Sequence, residues 1–339
     1  MASRLSWQAW TVPKDGNRAE ENEDASRIER TKVDSDGLLL AMSDGASETV
    51  YAGPWARALV AAADSDWPTL SDADFVGRLD RVRAAFAPVE SGQQLPWYVA
   101  NKWLTQGSQA TLLVATVVRA HEADGFVVRA IAVGDCCLLV FKSDGEVRTF
   151  PVHSSNELGL HPGLIPNRPQ SRLAPVLRWE QSLQSGDVLL ACTDAVGKWV
   201  LECLESEQRA TLLRTLAELR AQGPSAPASP DDARQVMEAA RGLQASGDSA
   251  EGDGEPVTSI PGELAATCDA GSLSAPRDFG QLIASCRVSE IEPRMRNDDS
   301  TLAMCAVLPF PEADDRSQAV RLLRNLAEIG DRPQAAGRP

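Results

Sequence analysis

The most constraining feature of this chain is an apolar run that ends abruptly in an acidic residue. Five apolar residues, from Leu38 to Met42, lead through Ser43 into Asp44 and Gly45. An apolar run without alternation is typical of a strand that is buried on both faces. The glycine allows the backbone to turn and another group to approach closely. The pattern therefore predicts a carboxylate that is held rigidly at the end of a central strand.

Two further places combine an apolar strand with a carboxylate. The run 188–192 is followed closely by Asp194, and Asp298 lies just before the run 301–308. An acidic segment upstream contains Asp24. A single aspartate beside a strand is usually a turn residue, and that interpretation stays open for each of them alone. Together they suggest a cluster of hard oxygen ligands, which suits magnesium or manganese better than zinc.

The bulk composition restricts the class of partner and the compartment. A chain of 339 residues is long enough for one large domain or two ordinary ones. Its net charge of −15 predicts no nucleic-acid partner, because phosphates would repel it, and no basic membrane-surface role. No apolar run approaches the ~20 residues of a membrane span, and the first residues lack a signal-peptide core. The seven cysteines form no CxxC pair and read as buried thiols in a reducing compartment, so we expect cytoplasmic localisation.

Helical and strand patterns are segregated along the chain. Residues 153–178 show few periodic signals and predict an irregular segment. The blocks of strands and helices favour an α+β architecture, in which helices cover antiparallel sheets. Helices are predicted over 54–63, 97–104, 196–203, 205–221, 278–290 and 317–329 and from Ser71 onward, and strands over 5–12, 109–118, 126–133, 138–141 and 188–192, with a hairpin turn at 143–145.

Six short motifs occur in an order that resembles a known family. The ordered set covers residues 5–308 and is similar to the metal-dependent serine/threonine protein phosphatases of type 2C, the PPM family, in their divergent bacterial branch. Each motif alone is unspecific, and the order carries the resemblance. The motifs are Asn22-Glu23-Asp24-Ala25, Ser43-Asp44-Gly45, Gly107 to Thr111, Val133-Gly134-Asp135, Cys192-Thr193-Asp194-Ala195 and Asn297 to Thr301.

The resemblance implies a fold and a division into domains. The expected fold is a four-layer αββα sandwich of two antiparallel sheets flanked by helices. Residues 1–310 would form the catalytic domain, and residues 311–339 a C-terminal helix and a frayed tail. Within the domain, the segment 222–275 is rich in Gly, Pro, Ser, Ala and acidic residues, which indicates a partly disordered insertion.

The resemblance also implies a centre that holds two Mn²⁺ or Mg²⁺ ions and activates a bridging water. Asp44 would bridge both ions, the Gly45 carbonyl would bind the second, and Asp194 and Asp298 would hold the first. Two further aspartates are implied at the edge of the centre: Asp24 beside the ions, directly or through waters, and Asp135 at a third, weaker metal with Asp194.

The substrate phosphate needs a cation besides the metals, and Arg18 is the candidate, because the family often has an arginine just before the Asn-Glu-Asp segment. Alternatively, Arg18 pairs with Glu20 or Glu21 on the surface.

The implied function is hydrolysis of phosphoserine and phosphothreonine in proteins, by a monomer opposed by a Ser/Thr kinase. Several positions depart from the family pattern, including Ala46-Ser47-Glu48 after the Asp-Gly pair, Ala195, Asp299 and Cys136-Cys137. One alternative is therefore a catalytically weak or inactive phosphatase-like module that binds a phosphorylated partner. A third is the same metal centre acting on a small phosphorylated molecule.

Overall fold

Two antiparallel sheets of five strands each form the body of the molecule. The structure is a computed structural model, and it describes residues 3–31, 36–86, 96–120, 125–158, 162–206, 208–222, 279–288, 293, 295–309 and 315–330. In the first sheet the strand order is β1-β12-β11-β7-β8, and in the second it is β10-β6-β5-β3-β2. The strands are β1 (Ser3–Val12), β2 (Ala25–Arg30), β3 (Leu38–Ser43), β4 (Gln109–Ala110), β5 (Leu112–Arg119), β6 (Phe126–Val133), β7 (Cys137–Phe141), β8 (Val147–Phe150), β9 (Ile165–Pro166), β10 (Leu177–Leu183), β11 (Val188–Cys192) and β12 (Ser300–Pro309).

Helices cover the outer face of each sheet. Trp55 and Leu59 of the first helix and Phe75 of the second pack in one core cluster with β3 and β5 of the second sheet. The last four helices pack in another cluster with β7, β11 and β12 of the first sheet. The helices are α1 (Ala52–Ala62), α2 (Asp72–Ala85), α3 (Trp97–Thr105), α4 (Asp194–Glu205), α5 (Arg209–Gln222), α6 (Phe279–Val288) and α7 (Asp315–Gly330).

The central strands are apolar on both faces because each face meets a different core. In β3, Leu38, Leu40 and Met42 point between the sheets, whereas Leu39 and Ala41 point toward the helices. Alternation of side chains along a strand explains this division. Burying one such leucine stabilises the fold by about 1.5–3 kcal/mol. The four-layer αββα architecture expected from the sequence is confirmed.

Most helices begin and end close to the predicted residues. At α2, which is predicted from Ser71 onward, the Ser71 side chain accepts a hydrogen bond from the Asp74 backbone N–H at 3.2 Å and so caps the helix. The hairpin turn at 143–145 is also confirmed, because the Gly145 N–H donates to the Lys142 carbonyl at 2.9 Å. Among the described helices, none is both long and apolar enough to cross a membrane.

The prediction of an irregular segment over 153–178 was wrong at its end. The strand β10 begins at Leu177 and pairs antiparallel with β6 along its whole length. It lies at the edge of the second sheet. Most of its residues are polar, and within the strand only Leu183 is fully buried. Polar edge strands resist association with other chains but give a weak apolar signal. Most of the predicted insertion, from residue 223 onward, lies outside the described residues, as does the tail after residue 330.

A glycine between β6 and Asp135 is required by the backbone. Gly134 has φ of +99°, and a Cβ there would lie 2.6 Å from Thr111 Cγ2 and 2.7 Å from the Gly163 carbonyl oxygen. We expect Gly134→Ala to lower the free energy of unfolding by about 2–4 kcal/mol, through backbone strain and overpacking. Urea denaturation monitored by tryptophan fluorescence measures the change.

The matched control is Gly77→Ala in the middle of α2, where a Cβ would meet nothing within 4 Å. This substitution should raise the free energy of unfolding by about 0.5–1 kcal/mol, because it removes backbone freedom from the unfolded chain. Equal effects of the two substitutions would contradict the assignment of strain to Gly134.

Candidate metal centre

Strand ends from both sheets bring five aspartates to one end of the sandwich. The antiparallel register places the end of β3 beside the start of β2, and the end of β11 beside the start of β12. Each aspartate therefore follows or precedes a strand whose position the sheet fixes. They are Asp24 before β2, Asp44 after β3, Asp135 after β6, Asp194 after β11 at the start of α4, and Asp298 before β12.

Asp24 connects the two sheets through hydrogen bonds. Its Oδ2 accepts from the Thr193 hydroxyl at 3.0 Å and from the Thr301 hydroxyl at 2.8 Å. Thr193 precedes Asp194, and its own hydroxyl oxygen accepts from the Thr301 N–H at 3.0 Å. Because Asp24 belongs to the second sheet and both threonines to the first, these bonds fix where the carboxylates of the two sheets meet.

Three carboxylate oxygens in this cluster are buried and have no hydrogen-bond partner within the described chain. They are Oδ1 of Asp24, Oδ2 of Asp135 and Oδ1 of Asp194. A buried acceptor that is left unpaired costs about 1–3 kcal/mol, and more when it is charged. Of the fourteen buried side-chain atoms without a hydrogen-bond partner in the described chain, these three are the carboxylate oxygens, and because all three belong to one cluster they point to a missing partner. A hard divalent cation is a partner that such oxygens suit.

The cluster holds its protons abnormally tightly. Burial raises the pKa of Asp24 to about 8, with added repulsion from Asp299 and Asp194. Burial and the charge of Asp194 raise the pKa of Asp135 to about 7. Burial and the charges of Asp24, Asp194, Asp135 and Asp298 raise the pKa of Asp44 well above its ordinary value. Mutual repulsion of this kind shows that the carboxylates interact electrostatically.

Asp194 has a cationic neighbour that sequence reasoning missed. Nη1 of Arg296 lies 2.8 Å from Asp194 Oδ2, and Nη2 lies 3.7 Å from Asp298 Oδ2. Burial raises the pKa of Asp194, and the charge of Arg296 opposes that rise. The sequence does show an arginine two residues before Asp298, but its position alone does not indicate a contact with Asp194.

Asp299 has a structural role at the edge of the cluster. Its Oδ1 accepts from the Lys14 backbone N–H and its Oδ2 accepts from the Glu23 backbone N–H, both at 2.6 Å. These two bonds tie the loop that carries Asp24 to the start of β12. The backbone of Asp298 is fixed separately, because the Arg287 guanidinium donates to its carbonyl oxygen.

Gly45 lies where only a glycine fits. A Cβ there would be 2.8 Å from the Ala52 carbonyl carbon and 2.9 Å from the Glu23 carbonyl oxygen. The preceding residue is fixed through its backbone, because the Asp44 N–H donates to the Thr111 hydroxyl at 2.9 Å and the Asp44 carbonyl accepts from the Thr111 N–H at 2.8 Å. The loop after Gly45 is tied to the same region, since the Ser47 hydroxyl donates to the Glu23 carboxylate.

Arg18 lies in an exposed turn at the start of residues 19–21. Its backbone N–H donates to the Glu21 carboxylate at 2.7 Å. The structure gives its guanidinium no contact with any of the five aspartates in the described chain, so the phosphate-binding role of Arg18 stays a prediction.

No group of three or more His, Cys, Asp or Glu side chains within the described ranges is close enough to hold one metal ion. The chemistry of the donors nevertheless fits a hard cation, because oxygens only are offered and three of them lack a partner. The ligand roles of Asp24, Asp44, Gly45, Asp135, Asp194 and Asp298 therefore stay predictions.

Comparison with known proteins gives a likeness in structure only. No model of a protein family matches the chain, and no curated protein does. The catalytic domain of the serine/threonine phosphatase PstP with two manganese ions is 14% identical, with a TM-score of 0.44 over 91% of this chain and 100% of that one. The photosystem II phosphatase PBCP is 16% identical, with a TM-score of 0.45 over 89% and 98%.

The phosphatase Stp1 from Staphylococcus aureus is 12% identical, with a TM-score of 0.46 over 91% of this chain and 97% of that one. All three of these solved structures are of phosphatases, and the likeness to this chain is one of fold at low sequence identity.

Proposed function

We propose that this chain is a divalent-metal-dependent phosphatase that removes phosphate from phosphoserine and phosphothreonine in proteins. The observation that carries the proposal is the set of three buried, unpaired carboxylate oxygens in one cluster of like charge. Without a cation, the carboxyl groups of such a cluster have to stay protonated or bear the cost of buried charge. The metal-dependent chemistry of the resembled family gives the cluster a purpose.

The metal ions would be held by Asp44, Asp194 and Asp298, with the Gly45 carbonyl, and Asp24 and Asp135 would lie at the edge of the centre. Two divalent ions held there would supply positive charge that binds the phosphate and lowers the pKa of a water. No protein nucleophile is needed for this reaction.

The surrounding residues of this chain have the task of positioning. Thr193 and Thr301 orient the Asp24 carboxylate through its Oδ2 and leave Oδ1 free of hydrogen bonds. Thr111 holds the backbone of Asp44 from both sides. Ligands held in this way keep their spacing when the charge at the centre changes, which metal-dependent catalysis requires.

A second candidate function is a phosphatase-like module that binds a phosphorylated partner without turnover. One observation favours it: the guanidinium of Arg296 already neutralises part of the cluster by its contact with Asp194. The two functions differ in a simple measurement, because the module would neither bind manganese nor release phosphate. A phosphorylated protein substrate, an opposing Ser/Thr kinase, a monomeric state and a cytoplasmic location are parts of the main proposal.

The first test replaces a proposed ligand by its neutral isostere. We expect Asp44→Asn and Asp194→Asn to lower manganese-dependent hydrolysis of p-nitrophenyl phosphate and of a phosphothreonine peptide at least about 100-fold, because each removes a charged ligand oxygen. Release of inorganic phosphate is the readout, with and without EDTA.

The control is Asp80→Asn in α2, which removes an exposed carboxylate that pairs with Arg83 and should leave turnover within about twofold. Undiminished hydrolysis by Asp44→Asn and Asp194→Asn, or hydrolysis that survives EDTA, would refute the metal-dependent mechanism. Comparison of the peptide with small phosphorylated metabolites decides the substrate class.

The second test uses the pH dependence of stability without metal. Asp24 has a folded-state pKa of about 8, and an unfolded aspartate titrates near 4. Between these values the folded state binds more protons than the unfolded state, so stability falls as pH rises through the window. We expect the melting temperature in EDTA to decrease from about pH 5 to about pH 8, and saturating Mg²⁺ to remove most of the decrease.

Asp24→Asn is the matched variant, because its amide keeps an acceptor for the two threonines but cannot titrate. It should reduce the slope of melting temperature against pH in EDTA. A slope that is the same in this variant and in the wild-type protein would show that the cluster does not govern the effect.

A further inference from the structure

We propose that Arg296 is an internal cation that occupies the first metal position of the metal-free protein and has to leave before a divalent ion binds there. The inference rests on the proposed function, because it concerns the regulation of the same site. It makes metal binding an exchange between two cations.

The contacts of Arg296 fall on the two residues predicted to hold the first ion. Nη1 lies 2.8 Å from Asp194 Oδ2, and Nη2 lies 3.7 Å from Asp298 Oδ2. The guanidinium thus bridges carboxylates that belong to different strand ends. A planar group with several donors suits this bridging position, but it delivers only one positive charge.

A metal ion and the guanidinium cannot share these carboxylates at low cost. Metal–oxygen distances of ~2.0–2.6 Å, added to the 2.8 Å contact of Arg296, would hold two cations within roughly 5 Å of each other. Like charges at that distance repel strongly where water is restricted. The side chain of Asp194 is only 10% exposed, so the repulsion is poorly screened there.

The backbone near Arg296 is hydrogen-bonded, whereas its side chain is partly exposed to solvent. The Met295 N–H donates to the Cys286 carbonyl at 3.1 Å, and the Asp298 N–H donates to the Arg296 carbonyl at 3.0 Å. The Arg296 side chain is 36% exposed. A side chain that is partly exposed can leave the two carboxylates by rotating toward solvent, which is the release that we propose.

A second arginine at the same loop shows the contrast. The Arg287 guanidinium contacts the Asp298 carbonyl, the Ser300 hydroxyl at 3.2 Å and the Pro13 carbonyl at 3.5 Å. These are neutral backbone and hydroxyl acceptors, so a metal ion has no reason to displace Arg287. Of the two arginines, only Arg296 binds the oxygens that a metal would take.

The test is a calorimetric titration of Mn²⁺ into the metal-free protein, which measures the affinity directly. We expect Arg296→Met to bind Mn²⁺ about tenfold more tightly than wild type, within the range usual for two ligands coupled at one site. Arg296→Gln serves as the second variant if the methionine variant does not fold. A readout independent of turnover is the Nε–H NMR signal of Arg296, which should shift when Mg²⁺ is added to the wild-type protein.

The matched control is Lys14→Met, which separates occupancy from long-range charge. Lys14 contacts Glu23 at 3.3 Å, and the charges of Asp299 and Asp298 also act on it. Its removal takes one positive charge from the same region without freeing an oxygen of Asp194. It should change Mn²⁺ affinity by no more than about twofold.

The outcomes distinguish a failure of the Arg296 inference from a failure of the proposed metal centre. Mn²⁺ binding with equal affinity by wild type and Arg296→Met overturns the inference and leaves the metal centre intact. An equal gain in Lys14→Met and Arg296→Met also overturns it, because charge alone would then explain the effect. Absence of Mn²⁺ binding in all variants refutes the proposed metal centre and the inference with it, whereas binding by Arg296→Met alone supports both.

Discussion

Ionised carboxylates repel one another, and this chain buries several of them at one end of its sandwich. The pKa of Asp24 is about 8 and that of Asp135 about 7, because burial and neighbouring negative charges both favour the protonated form. Such a cluster destabilises the fold that contains it. The rest of the structure is the scaffold that brings these groups together despite this cost. The cation that we propose for the cluster would offset the repulsion.

That scaffold acts through backbone and hydroxyl groups. Asp24 is oriented by Thr193 and Thr301. Asp299 accepts hydrogen bonds from two backbone N–H groups of the loop between β1 and β2, which carries Asp24. Gly134 permits a left-handed turn next to Asp135 that no other residue fits without strain. Neutral donors of this kind fix the geometry of the carboxylates without adding positive charge, so they leave the negative charge available to the cation that we propose.

The parts of this arrangement that depend on local pattern could be predicted from the sequence. The run from Leu38 to Met42 is apolar because a core lies on each side of β3, and such a run is visible without a structure. The strand β10 escaped prediction because it is a polar edge strand. The contact of Arg296 with Asp194 also escaped, since it joins residues 102 positions apart whose meeting depends on the tertiary fold.

Two cysteines follow the cluster in sequence, and their thiols are unsuited to act as metal ligands beside the carboxylate oxygens. Cys136 and Cys137 follow Asp135 directly, and both are buried. Burial and the charge of Asp44 raise the pKa of the Cys136 thiol, and the side-chain hydrogen bond with Cys192 together with burial raises the pKa of the Cys137 thiol. Thiols that stay protonated are poor metal ligands and poor nucleophiles. The soft ligands next to the carboxylates are therefore inert, which agrees with the hard-cation site that we propose.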